Sequence, residues 1–168
     1  MAVRDVLRMP HPALKAVCAE LGPDEGHRAR SVAADLLETM AAHTGCVGLA
    51  APQLGELVRV VAIDVSQHPK ATTSHGEVAL VNPRVERATG AEVAREGCLS
   101  IPDLTANVRR ATAIVVTAHA PSGEPVRVDT EGFEARCLLH EIDHLDGLLF
   151  LDRVDSLTDD VFRRKRYR

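Results

Sequence analysis

Aromatic side chains are scarce: there is no tryptophan, and one tyrosine and three phenylalanines serve 168 residues. Such a chain offers little surface for stacking bases, which argues against a single-stranded nucleic-acid binder. Long apolar runs are also missing. None approaches the roughly 18 residues that suggest a membrane helix, and the opening MAVRDVLRMPHPAL has no apolar core of the signal-peptide kind. The expectation is a cytoplasmic protein with no membrane partner. Positive charge is not in excess, since the formal net charge is −4, so no sequence-specific nucleic-acid partner is expected either. One local exception is the tail RRKRYR, Arg163 to Arg168. It reads as a solvated end or as an electrostatic contact with ribosomal RNA.

What is present suits one soluble domain spanning residues 1–168: 45% hydrophobic and 26% charged residues. With so few aromatics, the core must be built from Leu, Val, Ile and Ala. In a reducing compartment the four cysteines are thiols, so each is core, ligand or reactive group.

HRARSVAADLLETMAAH, His27 to His43, carries apolar residues at three- and four-residue steps and predicts an amphipathic helix. Leu57 to Val65 is rich in β-branched residues and predicts a strand. Val78 to Val81 predicts another, ended by a turn at Asn82-Pro83. ATAIVVTAHA and EPVRVD flank PSG in a hairpin pattern. A second helix is expected from about Phe133 to Asp146, ended by Gly147. Short strands joined by turns predict an α+β fold: mostly antiparallel strands around a central helix, with the amphipathic helix N-terminal.

That central helix contains His140-Glu141-Ile142-Asp143-His144, the HExxH pattern. At 100° per residue the two imidazoles lie about 40° apart on one face. Glu141 lies beside them, close enough to act as a base without ligating. A catalytic metal site usually has three protein ligands, so one is missing. Cys137 shares the face but lies about 10.5 Å along the axis from His144, too far for one ion to join them. Cys18 sits in a mixed apolar stretch with no partner and reads as core or surface. Cys98 lies in REGCLSIP, beside a glycine that lets another group approach its backbone. The incomplete HExxH moves the balance towards Cys98 as third ligand. Cys46 begins CVGLAAPQ, a loop whose uncharged polar side chain is Gln53; it reads as a simple turn or as a substrate wall.

Three segments together resemble peptide deformylase: CVGLAAPQ (Cys46–Gln53), EGCLS (Glu96–Ser100) and LHEIDHLDG (Leu139–Gly147). The resemblance implies removal of the formyl group from N-formylmethionyl nascent peptides. It implies Cys98, His140 and His144 as ligands of one divalent metal, with ferrous iron (Fe2+) first and Zn2+, Ni2+ or Co2+ also able to bind. It implies Glu141 as general base and acid, and Gln53 and the backbone N–H of Leu99 as oxyanion donors. Gly48 and Gly97 would leave room for the peptide backbone, Glu96 would pair with Arg110, and the methionine would enter an apolar pocket. Val47, Phe133 and Leu138 are the wall residues expected. Two positions depart from the family pattern. Cys46 replaces a glycine, placing a side chain at the substrate site, and Leu139 replaces the glutamine before the first metal histidine. Two other readings stand beside this one: a paralogue acting on another small N-acyl group, and a non-catalytic, metal-stabilised module associated with ribosomes.

Overall fold

Every residue of Val60–Ile63 is buried, and alternate side chains enter two different cores. Val60 and Ala62 pack beneath the first long helix, whereas Val61 and Ile63 pack against the second. This follows from the two-residue period of a strand buried on both faces. The computed structural model describes residues 2–165.

Among the described residues, eight strands form two antiparallel sheets. The larger has the order β1-β2-β3-β6-β7 and the smaller the order β4-β5-β8. The larger contains β1 (Gly48–Ala50), β2 (Val60–Ile63), β3 (Val78–Thr89), β6 (Ala113–His119) and β7 (Pro125–Glu131). The smaller contains β4 (Glu92–Cys98), β5 (Ile101–Arg110) and β8 (Val161–Arg163). The two helices are α1 (Gly26–Ala42) and α2 (Gly132–Leu145). The α+β class and its antiparallel strands match the expectation.

On α1, Ala29, Val32, Ala33, Leu36 and Met40 repeat at the spacing of one helical face and cover β1 and β2. On the other side of the large sheet, Ala135, Leu138, Ile142 and Leu145 of α2 join Val61, Ile63, Leu80 and Val116. The opposite side of α2 faces the small sheet, so the helix is buried nearly all round and its polar side chains must find partners inside. Gly147 ends it in a left-handed conformation, φ 74°, where a Cβ would stand 2.5 Å from the Lys15 carbonyl oxygen. Among the described residues, no helix is long and apolar enough to cross a membrane.

Three expectations need correction. The strand read from Leu57 to Val65 is shorter, Val60–Ile63. Asn82-Pro83 is not a turn, because β3 continues through it to Thr89. The register against β6 slips between Val81 and Arg84, so the proline occupies a bulge, where its missing N–H costs no ladder bond. Asn82 takes φ 52°, and its side chain clasps the Leu21 backbone by accepting from N–H at 2.9 Å and donating to C=O at 2.8 Å. The residues after Asp159 pair as β8 with β5 rather than simply trailing away; Arg166–Arg168 lie outside the described residues.

Candidate metal centre and active site

Two elements converge on one point. One turn of α2 separates His140 from His144, and β4 ends at Cys98 opposite them. One donor atom from each residue lies within 4.8 Å of the others, and all three residues are buried. Cys98 Sγ is 3.5 Å from His144 Nε2. His140 turns Nδ1 towards Glu96 Oε1 at 2.8 Å, which leaves Nε2 free for a ligand. A histidine oriented by a carboxylate behind it is the usual support of a metal-binding imidazole. His144 Nδ1 and Glu141 Oε1 are buried without a hydrogen-bond partner. A soft thiolate and two imidazoles around partnerless polar atoms fit one divalent transition metal.

Burial raises the Glu141 carboxyl, outweighing the pull of His140 and Arg110, and leaves it at about 7. Burial alone would depress His140, but Glu141, Cys98 and Glu96 outweigh it and hold that imidazole well above its usual range. His144 is held well below, first by burial and then by repulsion from His140 and Arg110.

Glu96 is the hub behind the site. Its carboxylate accepts from Arg110 Nε at 2.7 Å and Nη2 at 3.0 Å, from Arg136 Nη1 at 2.7 Å, and pairs with His140. Burial raises its pKa, but the bonds from His140 and Arg110 reverse this and hold it at about 2. Arg110 also donates to Asp143 Oδ2 at 2.8 Å, and Arg153 grips the same carboxylate at 2.9 and 3.1 Å. Neighbouring Arg109 instead reaches exposed Asp155. Sequence reasoning missed Arg136 and Asp143. Their signal was helical spacing, since Arg136 precedes His140 by four residues and Asp143 follows it by three.

A pocket of about 320 Å³ opens over these groups. Its lining includes Glu141, Gln53, Leu99, Gly48, Gly97 and Phe133, together with Cys46 and Val47. Gln53 Oε1 accepts from Ala50 N–H at 2.9 Å. Its Nε2 donates to Ser100 Oγ at 3.0 Å and lies 3.5 Å from Cys98 Sγ. Gly48 packs so tightly on α2 that a Cβ there would stand 2.6 Å from Glu141 Oε2 and 3.0 Å from Cys137 Sγ. Cys46 turns its thiol back onto the Gly48 carbonyl at 3.3 Å, and burial, with Glu141 adding to it, pushes that thiol up to about 12.

Leu138 does not line the pocket, contrary to expectation. It is fully buried in the core against the large sheet. Two residues before His140, it points about 200° away around the helix. Cys18 is core, and Cys137 is buried with its thiol on the Val47 carbonyl at 3.4 Å. Leu139 is half-buried at the edge of the core cluster. Within the basic tail, Arg163 and Lys165 are exposed, whereas the Arg164 guanidinium lies over Gly97 at the pocket. His68, Lys70 and Arg95 also line the pocket and were not singled out from sequence. His68 stacks on Phe133 with ring centres 4.1 Å apart.

The family model for polypeptide deformylase matches residues 3–160. Peptide deformylase 2 of Vibrio vulnificus is 38% identical over 165 residues, covering 98% of this chain and 94% of that protein. Peptide deformylase of Thermomicrobium roseum is 40% identical over 159 residues, covering 93% and 88%. Among solved structures, the Met-Ala-Ser-bound class I type b peptide deformylase of Acinetobacter baumannii superposes with TM-score 0.84 at 31% identity, covering 91% of this chain and 100% of that one.

Proposed function

Because this chain belongs to the polypeptide deformylase family, we propose that its pocket removes the formyl group of nascent peptides by the joint action of Cys98, His140, His144 and Glu141. The single observation behind these roles is the meeting of one thiol and two imidazoles beside a buried carboxylate whose Oε1 has no partner. Cys98, His140 and His144 would hold the divalent metal, ferrous iron in our reading, with zinc, nickel or cobalt as substitutes. When bound, such a metal acts as a Lewis acid that polarises a carbonyl and lowers the pKa of water.

The chain's own groups do the rest. Glu141 takes the proton of the attacking water through its free oxygen and returns it to the leaving amine. Gln53 Nε2 and the Leu99 N–H stabilise the developing oxyanion. Glu96 holds His140 in place, and Arg110 and Arg136 hold Glu96. The substrate is the N-formylmethionyl peptide. Its methionine lies along Val47 and Phe133, and its backbone runs past Gly48 and Gly97 as an added strand. The cytoplasm is the compartment this substrate implies.

Cys46 gives one reason to weigh another acyl group, because its side chain changes the pocket lining beside Gly48. Formate release from formyl-Met-Ala-Ser, compared with acetate release from acetyl-Met-Ala-Ser, decides between the two. The formyl peptide is expected to react faster by at least about tenfold, the discrimination one buried methyl group gives. Equal rates or a preference for acetyl would contradict the assignment.

A further inference from the structure

The pocket mouth carries cations that the reaction above does not use. Lys70 lines it next to His68, to whose Nδ1 its backbone N–H donates at 3.2 Å, and Arg95 of β4 and Arg164, which covers Gly97 of β4, line it as well. Among the described residues none of the three forms an ion pair, although the chain as a whole has a net charge of −4. The carboxylates in the same lining offer them nothing. Glu96 is saturated by Arg110, Arg136 and His140, and Glu141 is buried at the metal centre.

The Arg95 side chain is held in place, and Arg164 is anchored through its backbone. The Arg95 guanidinium stacks on Phe162 at 3.8 Å, donates to Asn107 Oδ1 at 3.1 Å and Thr105 Oγ1 at 3.3 Å, and keeps Nη2 unused. Arg164 is positioned by its N–H on the Asp103 carbonyl at 2.8 Å, and its guanidinium covers Gly97. A Cβ on Gly97 would lie against Arg164 Nη2 and 3.5 Å from Thr105 Cγ2, so both guanidinium groups share the Thr105 neighbourhood. Two like charges in one neighbourhood, with no anion paired to either among the described residues, form a site for one.

We propose that Arg95, Arg164 and Lys70 form an anion collar that selects peptides carrying a carboxylate downstream of the formylmethionine. The idea rests on the deformylase reading. β4 is an edge strand, and Arg95 lies three residues before Cys98, about 10 Å along the strand. A peptide extended along that edge brings its third residue to the collar. The carboxylate can come from an acidic third side chain or from the C-terminus of a short peptide.

The test measures kcat/KM for formyl-Met-Ala-Glu-amide, formyl-Met-Ala-Lys-amide, and formyl-Met-Ala-Ser as free acid and as amide. Calorimetry of the unformylated products Met-Ala-Glu-amide and Met-Ala-Lys-amide gives a binding readout that does not need turnover. The Glu peptide is expected to be preferred over the Lys peptide by about 5–30-fold at low salt, shrinking as salt is added. Arg95→Gln and Arg164→Gln should each lower that ratio about 2–5-fold, while Arg109→Gln, paired with Asp155 away from the pocket, leaves it unchanged. The ratio corrects for any general loss of activity in a variant. A preference for the free acid over the amide assigns the collar to the C-terminal carboxylate and also supports it. Equal handling of Glu and Lys peptides, together with equal handling of acid and amide, would overturn the collar while leaving deformylation intact. A preference that survives both arginine substitutions would overturn it as well. Failure to release formate from every peptide would overturn the deformylase reading instead, and product binding would then decide the collar by itself.

Discussion

Replacing Glu141 with glutamine is expected to lower formate release about 10²- to 10⁴-fold, the range for losing a positioned general acid–base, while the protein keeps its metal. The expectation rests on position. Glu141 follows His140 on α2, so its side chain borders the point where Cys98, His140 and His144 meet, and the three donors that could hold a metal there come from other residues. Its Oε1 has no protein partner, so glutamine strands no donor that the glutamate was holding. Glutamine is also nearly isosteric. That matters because the tight contact with Gly48 leaves no room for a larger group. The loss should fall on kcat, because in the proposed mechanism Glu141 acts on the water and the leaving amine and does not hold the peptide. Steady-state kinetics and metal analysis of one sample check this. Full activity of the variant with metal bound would remove Glu141 from the mechanism.

The second large effect is expected at Glu96, through stability and metal affinity together. Glu96→Ala leaves Arg136 without its carboxylate and Arg110 with only Asp143, both deep in the protein. Breaking a buried pair by removing one partner costs about 3–5 kcal/mol. For a domain of this size that lowers Tm by about 6–20 °C. His140 also loses the acceptor that orients its ring, which should weaken metal binding about 10–100-fold. Melting curves with and without a chelator separate the two effects: the stability loss persists in chelator, and the affinity loss does not. If the variant melted like the parent in chelator, the buried network would not be stabilising the fold.

The parts of the fold legible in the sequence were those where one period dominates. The apolar repeat from Val32 to Met40 marked α1, and the alternation around PSG marked the β6–β7 hairpin. β3 was read as a third of its length because Pro83 signals a turn, and only pairing with β6 reveals that the proline occupies a bulge. β4 and β5 were not read as strands. Glu96 and Arg110 interrupt the apolar pattern of these strands, and they are buried only because they neutralise one another, with Arg136 of α2 adding to the pairing.

At the site, short motifs singled out Cys98, His140, His144 and Glu141, and the fold brings donor atoms of the first three within 4.8 Å of one another. Leu138 was misplaced for a reason the helical angle already contained: it lies on the side of α2 opposite His140. Arg164 had no local signal. It reaches the pocket because Leu104, Thr105 and Ala106 of β5 pair with β8, a contact across more than fifty residues.

The most direct test is an anaerobic titration of metal-free protein with ferrous iron, following bound metal and formate release from formyl-Met-Ala-Ser in the same sample. The account predicts no formate without metal, a rise that saturates at one ion per chain, and failure of Cys98→Ala to retain the ion at that ratio. Undiminished formate release from the metal-free protein, or a Cys98→Ala chain that binds and reacts like the parent, would contradict it.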